Sequence, residues 1–532
     1  MKAKHFHILI LFCAAAFSGA SVYSENRYFG TSSATFGSNT AWYSDEERTQ
    51  QAIPPSYEDT AVFYKTKNEA SFIPVAWITQ VDTYVGGIVS SGGGTINLGN
   101  ELLNQEVPAN FQVYGKLSVQ ICDEVSAMTF GNSFDQNEGT AAVEFSVGGI
   151  EVASEVYGGR TFNSYGSATL TFDYTDSRIS SSVINVNGDV KLGGCNVEGV
   201  NSAAILNIGA DKMSVSGIME MNRNGWGYSN VTFTKSCVLE LGGLTATNAN
   251  GDFTISNKYS TDFASEIVFK NAAGKDYQYI GTIVDDGNSR PDMSAIRSTV
   301  NVTMDGEGTQ RIFQAVQSKT DIQGRMGGVY TAKNGRLFMD NSRIAEDYRL
   351  AALSLEGGKF GAGHYDSAQA GTAYFKTANF RSGGLAYENF VQHNSMETQV
   401  SDKIIISESF TKAEGSGKIA VDFADRSGNA LDLQNYATAD DAGSVEIWTE
   451  ILTAGDIAGF DLETKIGENA YDANGDFYAV GVENGVAVFR WVESLGSGYS
   501  LQVGFAQVPE PESLAAALGA LALIFAARRK IG

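Results

Sequence analysis

Three stretches, Val190-Lys191-Leu192-Gly193-Gly194, Leu239-Glu240-Leu241-Gly242-Gly243 and Leu353-Ser354-Leu355-Glu356-Gly357-Gly358, share one pattern: apolar and polar residues alternate, then glycines follow. Ile205-Leu206-Asn207-Ile208-Gly209 is a fainter copy. Alternation buries one face of a strand and leaves the other wet. A glycine pair allows a sharp corner with positive φ directly after a buried strand. Strand, corner and strand, repeated, is what the stacked coils of a β-solenoid need. The spacing between copies is irregular, so the pattern sets no coil number. An array of β-sandwich domains is the other architecture it allows.

The surrounding chain reads the same way. Gly94–Gly99, Ala168–Phe172, Ser182–Val186, Lys212–Ser216, Asn230–Phe233, Asp252–Ile255, Glu266–Phe269 and Thr299–Met304 all alternate and are divided by Gly, Asn or Asp. With 59 Gly and only 7 Pro, the composition favours many short strands joined by turns. The one helix expected within the body is Ser44–Ala52, capped by Ser44 and continued by Asp45, Glu46 and Glu47. The fold class is therefore all-β: a right-handed parallel β-helix or β-solenoid over 85–394, with 25–84 as its N-terminal cap. This body is similar in pattern to the repeats of autotransporter passengers and bacterial adhesins.

Near Gln392 the character changes. Asp402–Ser407 and Gly417–Phe423 read as paired strands, followed by Ser444–Trp448. Asn484-Gly485 between the runs Phe477–Val482 and Val486–Val492 is a strong hairpin signal, and Tyr499–Phe505 adds a last strand. Residues 395–506 are thus expected to form a C-terminal antiparallel β domain that covers the open solenoid end.

Both termini carry export signals. Lys2 and Lys4, the apolar run Ile8–Phe17 and the small residues Ser18–Ser21 have the form of a secretory signal peptide over 1–24, with cleavage after Ala20 or Ser24. At the other end, Val508-Pro509-Glu510-Pro511 precedes the apolar run Leu514–Ala527, and Arg528-Arg529-Lys530 follows it. As a helix that run is about 21 Å long, against a hydrocarbon core of roughly 30 Å. The basic cluster stays cytoplasmic, and the body lies outside. This order of elements over 508–532 resembles the PEP-CTERM sorting signal of exopolysaccharide-producing bacteria. The resemblance implies export through the inner membrane, transient membrane association of a short apolar helix, and cleavage near the Pro-Glu-Pro motif. The partner it implies is an exosortase, a membrane protease or transpeptidase, and the destination is the cell surface or matrix, among exopolysaccharide. A permanent single-pass anchor is the alternative.

Charge and chemistry point the same way. The formal net charge of −24 repels nucleic acid, so no nucleic-acid partner is expected. Removal of Cys13 with the signal peptide leaves Cys122, Cys195 and Cys237, an odd set without metal or redox spacing. Cys195 and Cys237 could meet on neighbouring coils, or all three could be small core residues. His364 and His393 are too far apart in sequence for a metal motif, and no triad is recognisable. Asp472-Ala473-Asn474-Gly475-Asp476 with Glu483 mimics calcium-loop spacing, yet Phe477 stands where that loop needs glycine. Asp285-Asp286 and Asp440-Asp441 are acid pairs in apparent loops, and Trp226 with Tyr228 could stack on a sugar. No catalytic, cofactor-binding or metal residue is assigned. The expected role is structural or adhesive. A polysaccharide lyase or glycoside hydrolase on a β-helix is the alternative, and needs a groove with clustered acids and basic residues.

Overall fold

The computed structural model describes residues 25–507, except 65–73, 122–124, 133, 135–138, 157–165, 194–201, 223–227, 247–251, 259–261, 287–297, 315–323, 367–368, 389, 392–399, 425–428, 434–444, 446–447 and 495–497. The described residues form stacked parallel coils. Each alternating run named from the sequence between Ala168 and Met304 is a strand or lies within one, and Gly94–Gly99 overruns its strand Gly94–Leu98 by one residue.

One turn of the coil shows the plan. Strand Gly166–Asp173 lies on one face, Ile179–Val186 on a second, and Val190–Leu192 on a third. The chain then returns with Ser202–Gly209, which pairs in parallel on Gly166–Asp173. Lys212–Met221 next covers both Ile179–Val186 and Val190–Leu192. Two of the faces are continuous around a bend and belong to the 27-stranded sheet, and the other is a separate 9-stranded sheet. Alternation along each strand sends one side chain in two to the interior, as in Gly166–Asp173, where Ala168, Leu170 and Phe172 are buried.

The interior is one apolar cluster running from Phe29 to Phe505. In-register residues stack there, for example Phe111 on Phe145 and Phe130 on Phe172, with ring centroids 5.6 and 5.4 Å apart. Buried amides complete backbone pairing where a neighbouring strand is missing. Gln310 exchanges two hydrogen bonds with the Leu244 backbone, at 3.1 and 3.0 Å, and Asn341 does the same with Tyr374, at 2.7 and 2.9 Å. A buried peptide group left without a partner is costly, so these side chains stand in for a strand.

Both ends depart from expectation. The coil begins within 25–84, because Asn26–Tyr28 already pairs in parallel with Thr60–Val62. Ser44–Ala52 is not helical: the Asp45 carboxylate accepts from the Thr49 and Gln50 backbone N–H groups and closes a turn into the strand Gln51–Ala52. An acid that satisfies local N–H groups in this way competes with helix. Trp42, fully buried against Phe29, Phe36 and Phe63, closes this end.

At the other end the parallel ladder runs past Gln392. Lys403–Lys412 and Ile419–Phe423 do not pair with each other; both lie in parallel on Thr372–Tyr387. At this end the antiparallel pairs are Gly485–Ser494 with Gly498–Gln507, their contacts with Trp448–Ala458 and Ala470–Asp472, and the short pair Phe390–Val391 with Val400–Ser401. Asn484 takes the expected positive φ of 57°. Its flanking runs nonetheless do not form a hairpin: Phe477–Val480 pairs with Ile419–Asp422, and Gly485–Ser494 turns back on Gly498–Gln507. Of Ser444–Trp448, Val445 and Trp448 are described. The sorting tail, including its apolar run, and the signal peptide lie outside the described residues. Among the described residues no helix is long and apolar enough to cross a membrane.

Candidate functional site: a glycine-floored corner groove

The bend between the two continuous faces is built of stacked glycines. A Cβ on Gly115 would lie 2.6 Å from the Gly86 carbonyl oxygen; on Gly148, 2.6 Å from that of Gly115; on Gly188, 2.3 Å from that of Gly148; and on Gly242, 2.6 Å from that of Gly217. At these positions backbone packs directly on backbone; at Gly217 the Asp189 carboxylate also turns into the corner, accepting from the Ile218 N–H at 2.9 Å. Gly193 and Gly357 of the sequence pattern have φ of +77° and +148°. Gly242 instead sits inside the strand Val238–Thr245 and is required by close approach. Gly194 lies outside the described residues.

Beside this floor runs a row of outward-facing residues joined in register: Tyr84, Gln112, Ser146, Asn185, Ser214 and Glu240. Ser146, Asn185, Asn187, Ser216, Glu240 and Lys270 line an open cavity of about 360 Å³. Glu240 accepts from the Lys212 ammonium at 2.8 Å and the Ser214 hydroxyl at 3.1 Å. Burial pushes its carboxyl up, but these two donors outweigh that and hold it below the ordinary glutamate value. Asn185 donates to Glu144 at 3.1 Å.

Three tyrosines stand at the N-terminal end of the groove, one from each of three successive coils. Tyr57, Tyr84 and Tyr114 are 61, 42 and 53 % exposed. The Tyr84 and Tyr114 rings lie 6.2 Å apart at 26°, and Tyr57 meets Tyr114 at 6.3 Å and 76°. Local bonds fix their backbone. The Asp59 carboxylate accepts from the Ser56 N–H and hydroxyl, and Gly86 donates to the Ser56 carbonyl at 3.1 Å. A hydrogen bond to Glu58 raises the Tyr57 phenol above its ordinary value. Burial, with Asp82 and Tyr114 nearby, raises that of Tyr84.

A second, charged site lies on the same sheet further along. Arg311 donates to Asp276 at 2.9 Å and Glu388 at 2.5 Å, with its guanidinium 4.7 Å from the centre of the Phe338 ring. Asp422 accepts from Arg336 at 3.0 Å and Lys359 at 2.6 Å. Asp276, Glu307, Arg336 and Lys359 line a cavity of about 500 Å³. This is a groove with clustered acids and bases, but Asp276, Glu388 and Asp422 are each engaged by cations.

Those residues singled out from the sequence that are described do not converge on either site. Val508, Pro509, Glu510, Pro511, Arg528, Arg529 and Lys530 lie outside the described residues, as do Trp226, His393, Cys122, Cys195, Asp440 and Asp441. His364 stacks on Tyr365 and sits 3.9 Å from Asp340. Asp285 is buried, accepts from the Val300 N–H and faces Arg325 at 3.4 Å. Cys237 is a free, buried thiol, which corrects the suggested pairing with Cys195. The calcium-loop spacing does not assemble a site. Asp472 accepts from Asn474, Asp476 from Lys412 and the Asp461 N–H, and Glu483 pairs beside Asp432. Among the described residues no group of three or more His, Cys, Asp or Glu is placed to hold a metal.

The tyrosine cluster was missed by sequence reading. Its trace is Tyr84-Val85-Gly86 and Tyr114-Gly115, a tyrosine just before each of two corner glycines. No family model, curated protein or solved structure matches the chain.

Proposed function

We propose that the chain is an exported, non-catalytic surface or matrix protein, sorted through its C-terminal tail and held in place by contact with extracellular polysaccharide. The observation that carries this reading is the groove: in-register polar side chains repeat along a corner of stacked glycines, so a repeating ligand meets a repeating surface. The −24 charge of the chain keeps such a surface soluble and turns away polyanions. Val508–Pro511 with Arg528–Lys530 supplies the address, and an exosortase-like membrane enzyme is the partner that reads it. Calcium has no part in this reading.

The charged cavity around Arg336 and Asp276 favours a second reading, a polysaccharide lyase or glycoside hydrolase. It is the weaker one, since the ion pairs also serve to hold successive coils together.

Two measurements test the proposal. Protein recovered from the cell surface is expected to have a mass that lacks Arg528–Gly532; an intact tail argues for a permanent anchor instead. Incubated with neutral and acidic glycans, the chain is expected to bind without shortening them. Chain cleavage, abolished by Asp276→Asn or Asp422→Asn, would establish the enzyme reading.

A further inference from the structure

We infer that Tyr57, Tyr84 and Tyr114 are the aromatic platform of a binding site for a neutral polysaccharide, whose chain runs along the glycine corner towards Asn185 and Glu240. The inference rests on the proposed matrix role and names the site and the ligand class.

The argument begins with exposure. A tyrosine ring buries much apolar area when covered, and single exposed rings are ordinary. Three rings on one corner, with Tyr114 meeting both Tyr57 and Tyr84 and each 42–61 % exposed, form a patch of the kind that marks an interaction surface. The rings are not loose. Tyr84 sits on a paired strand, Tyr57 within the Ser56–Asp59 turn, and Tyr114 beside Gly115, whose N–H donates to the Gly86 carbonyl at 2.6 Å, so little ordering remains to be done on binding.

Chemistry then selects the occupant. A ring face accepts the C–H face of a sugar, while hydroxyls at the sugar's rim need donors and acceptors close by. Gln112, Ser146, Asn185, Ser214 and Glu240 provide both, in the row that starts at Tyr84. Successive coils lie about 4.8 Å apart, close to the length of one unit in an extended sugar chain. Tyr84 is thus roughly two coil spacings, about 10 Å, from Ser146. The floor itself is largely glycine backbone, at Gly86, Gly115, Gly148, Gly188 and Gly242, and the Asp189 carboxylate at Gly217 is tied to the Ile218 N–H. Charge excludes the acidic polymers: Glu58 and Asp82 flank the rings, and Glu144 and Glu240 stand along the row. An anionic sugar would meet like charge beside the rings and at Glu144, while Lys212 and Lys270 offset Glu240 further along.

Affinity electrophoresis of the full chain tests this, in gels carrying hydroxyethyl cellulose, galactomannan or polygalacturonate. A neutral polymer is expected to retard the protein and polygalacturonate to leave it free. Tyr84→Ala with Tyr114→Ala should weaken retardation about tenfold or more, as loss of a paired aromatic anchor does. Tyr84→Phe with Tyr114→Phe should keep most of it, because the rings remain. Thr169→Ala with Thr171→Ala, on the separate 9-stranded sheet, controls for general effects and should match wild type. Because both tyrosines are exposed, an unchanged melting temperature in the alanine pair certifies the fold. Wild-type retardation in that alanine pair would overturn the inference and leave the matrix role standing. Retardation by polygalacturonate alone would overturn it as well. A wild-type chain that no polysaccharide retards would remove the matrix role together with the site.

Discussion

Gly148 lies so close to Gly115 on the preceding coil that a methyl group on it would sit 2.6 Å from the Gly115 carbonyl oxygen. The corner is therefore a backbone-to-backbone contact, and its shape depends on the absence of Cβ atoms. Gly148→Ala is expected to destabilise the chain by about 1–3 kcal/mol, the usual range for forcing atoms into packed space. Gly417, with nothing near its Cβ position, should tolerate alanine within about 0.5 kcal/mol. Urea midpoints of the two variants decide it; equal midpoints would remove the corner from the account of stability.

Gln310 replaces a strand neighbour for Leu244. Gln310→Leu keeps similar bulk and leaves the Leu244 N–H and C=O buried without that partner. A loss of roughly 2–4 kcal/mol is expected, from two groups at about 1–3 kcal/mol each with partial relaxation. A variant as stable as wild type would mean that water or a local shift replaces the amide.

Arg311 forks between Asp276 and Glu388 above Phe338. Burial alone would lower its affinity for the proton, but the two carboxylates more than reverse this. Arg311→Ala should cost about 1–3 kcal/mol, below the value for a fully buried pair because Asp276 is half exposed. Arg311→Lys should recover only part of this, since an ammonium cannot fork to two carboxylates and lie flat over a ring. Full recovery by lysine would reduce the contact to simple charge.

Acid should weaken the fold in a defined window. The Lys270 ammonium holds the Asp305 carboxyl below its ordinary 3.8. Burial raises the Asp211 carboxyl, and Lys235 and Ser182 more than offset it. A carboxyl depressed on folding contributes stability that is present above its unfolded value and is lost as pH falls through the folded one. Lys270, raised above its ordinary 10.5 by Asp305, behaves oppositely: its contribution is present below 10.5 and is lost at still higher pH. Stability should therefore decline below about pH 4, and Asp305→Asn with Asp211→Asn should flatten that decline. An identical acid limb in the double variant would place the effect elsewhere.

Cys237 is 2 % exposed, and burial pushes its thiol up to about 12. With Cys122→Ser and Cys195→Ser in the background, iodoacetamide should label it only at the rate of unfolding. Rapid labelling of the native chain would show that the link from Tyr228–Phe233 to Val238–Thr245 opens on its own.

Much of the fold was legible because alternation is a local property. Ala168–Phe172 or Thr299–Met304 declares which side chains face inward wherever the strand is placed; of the stacked corner glycines Gly242 belongs to the named pattern, while Gly86, Gly115, Gly148 and Gly188 do not. Pairing was less legible. Gly417–Phe423 reads as a neighbour of Asp402–Ser407, yet both lie on Thr372–Tyr387. Nothing in two alternating strands says whether the chain folds back or travels once around a coil. Ser44–Ala52 failed for a related reason: a capping acid serves a turn as readily as a helix, and the surrounding strands chose the turn.

By itself, then, the sequence determined most strands between Gly94 and Met304, their inward faces and the acidity of the chain. The tertiary structure alone decided which residues meet. Tyr57, Tyr84 and Tyr114 are unremarkable in the chain and become a cluster only when three coils of unequal length stack with their corners aligned. Coil length varies in the connecting segments, so sequence spacing does not encode register. Register is set by backbone hydrogen bonds and by the fit of buried side chains across coils, and those are long-range quantities.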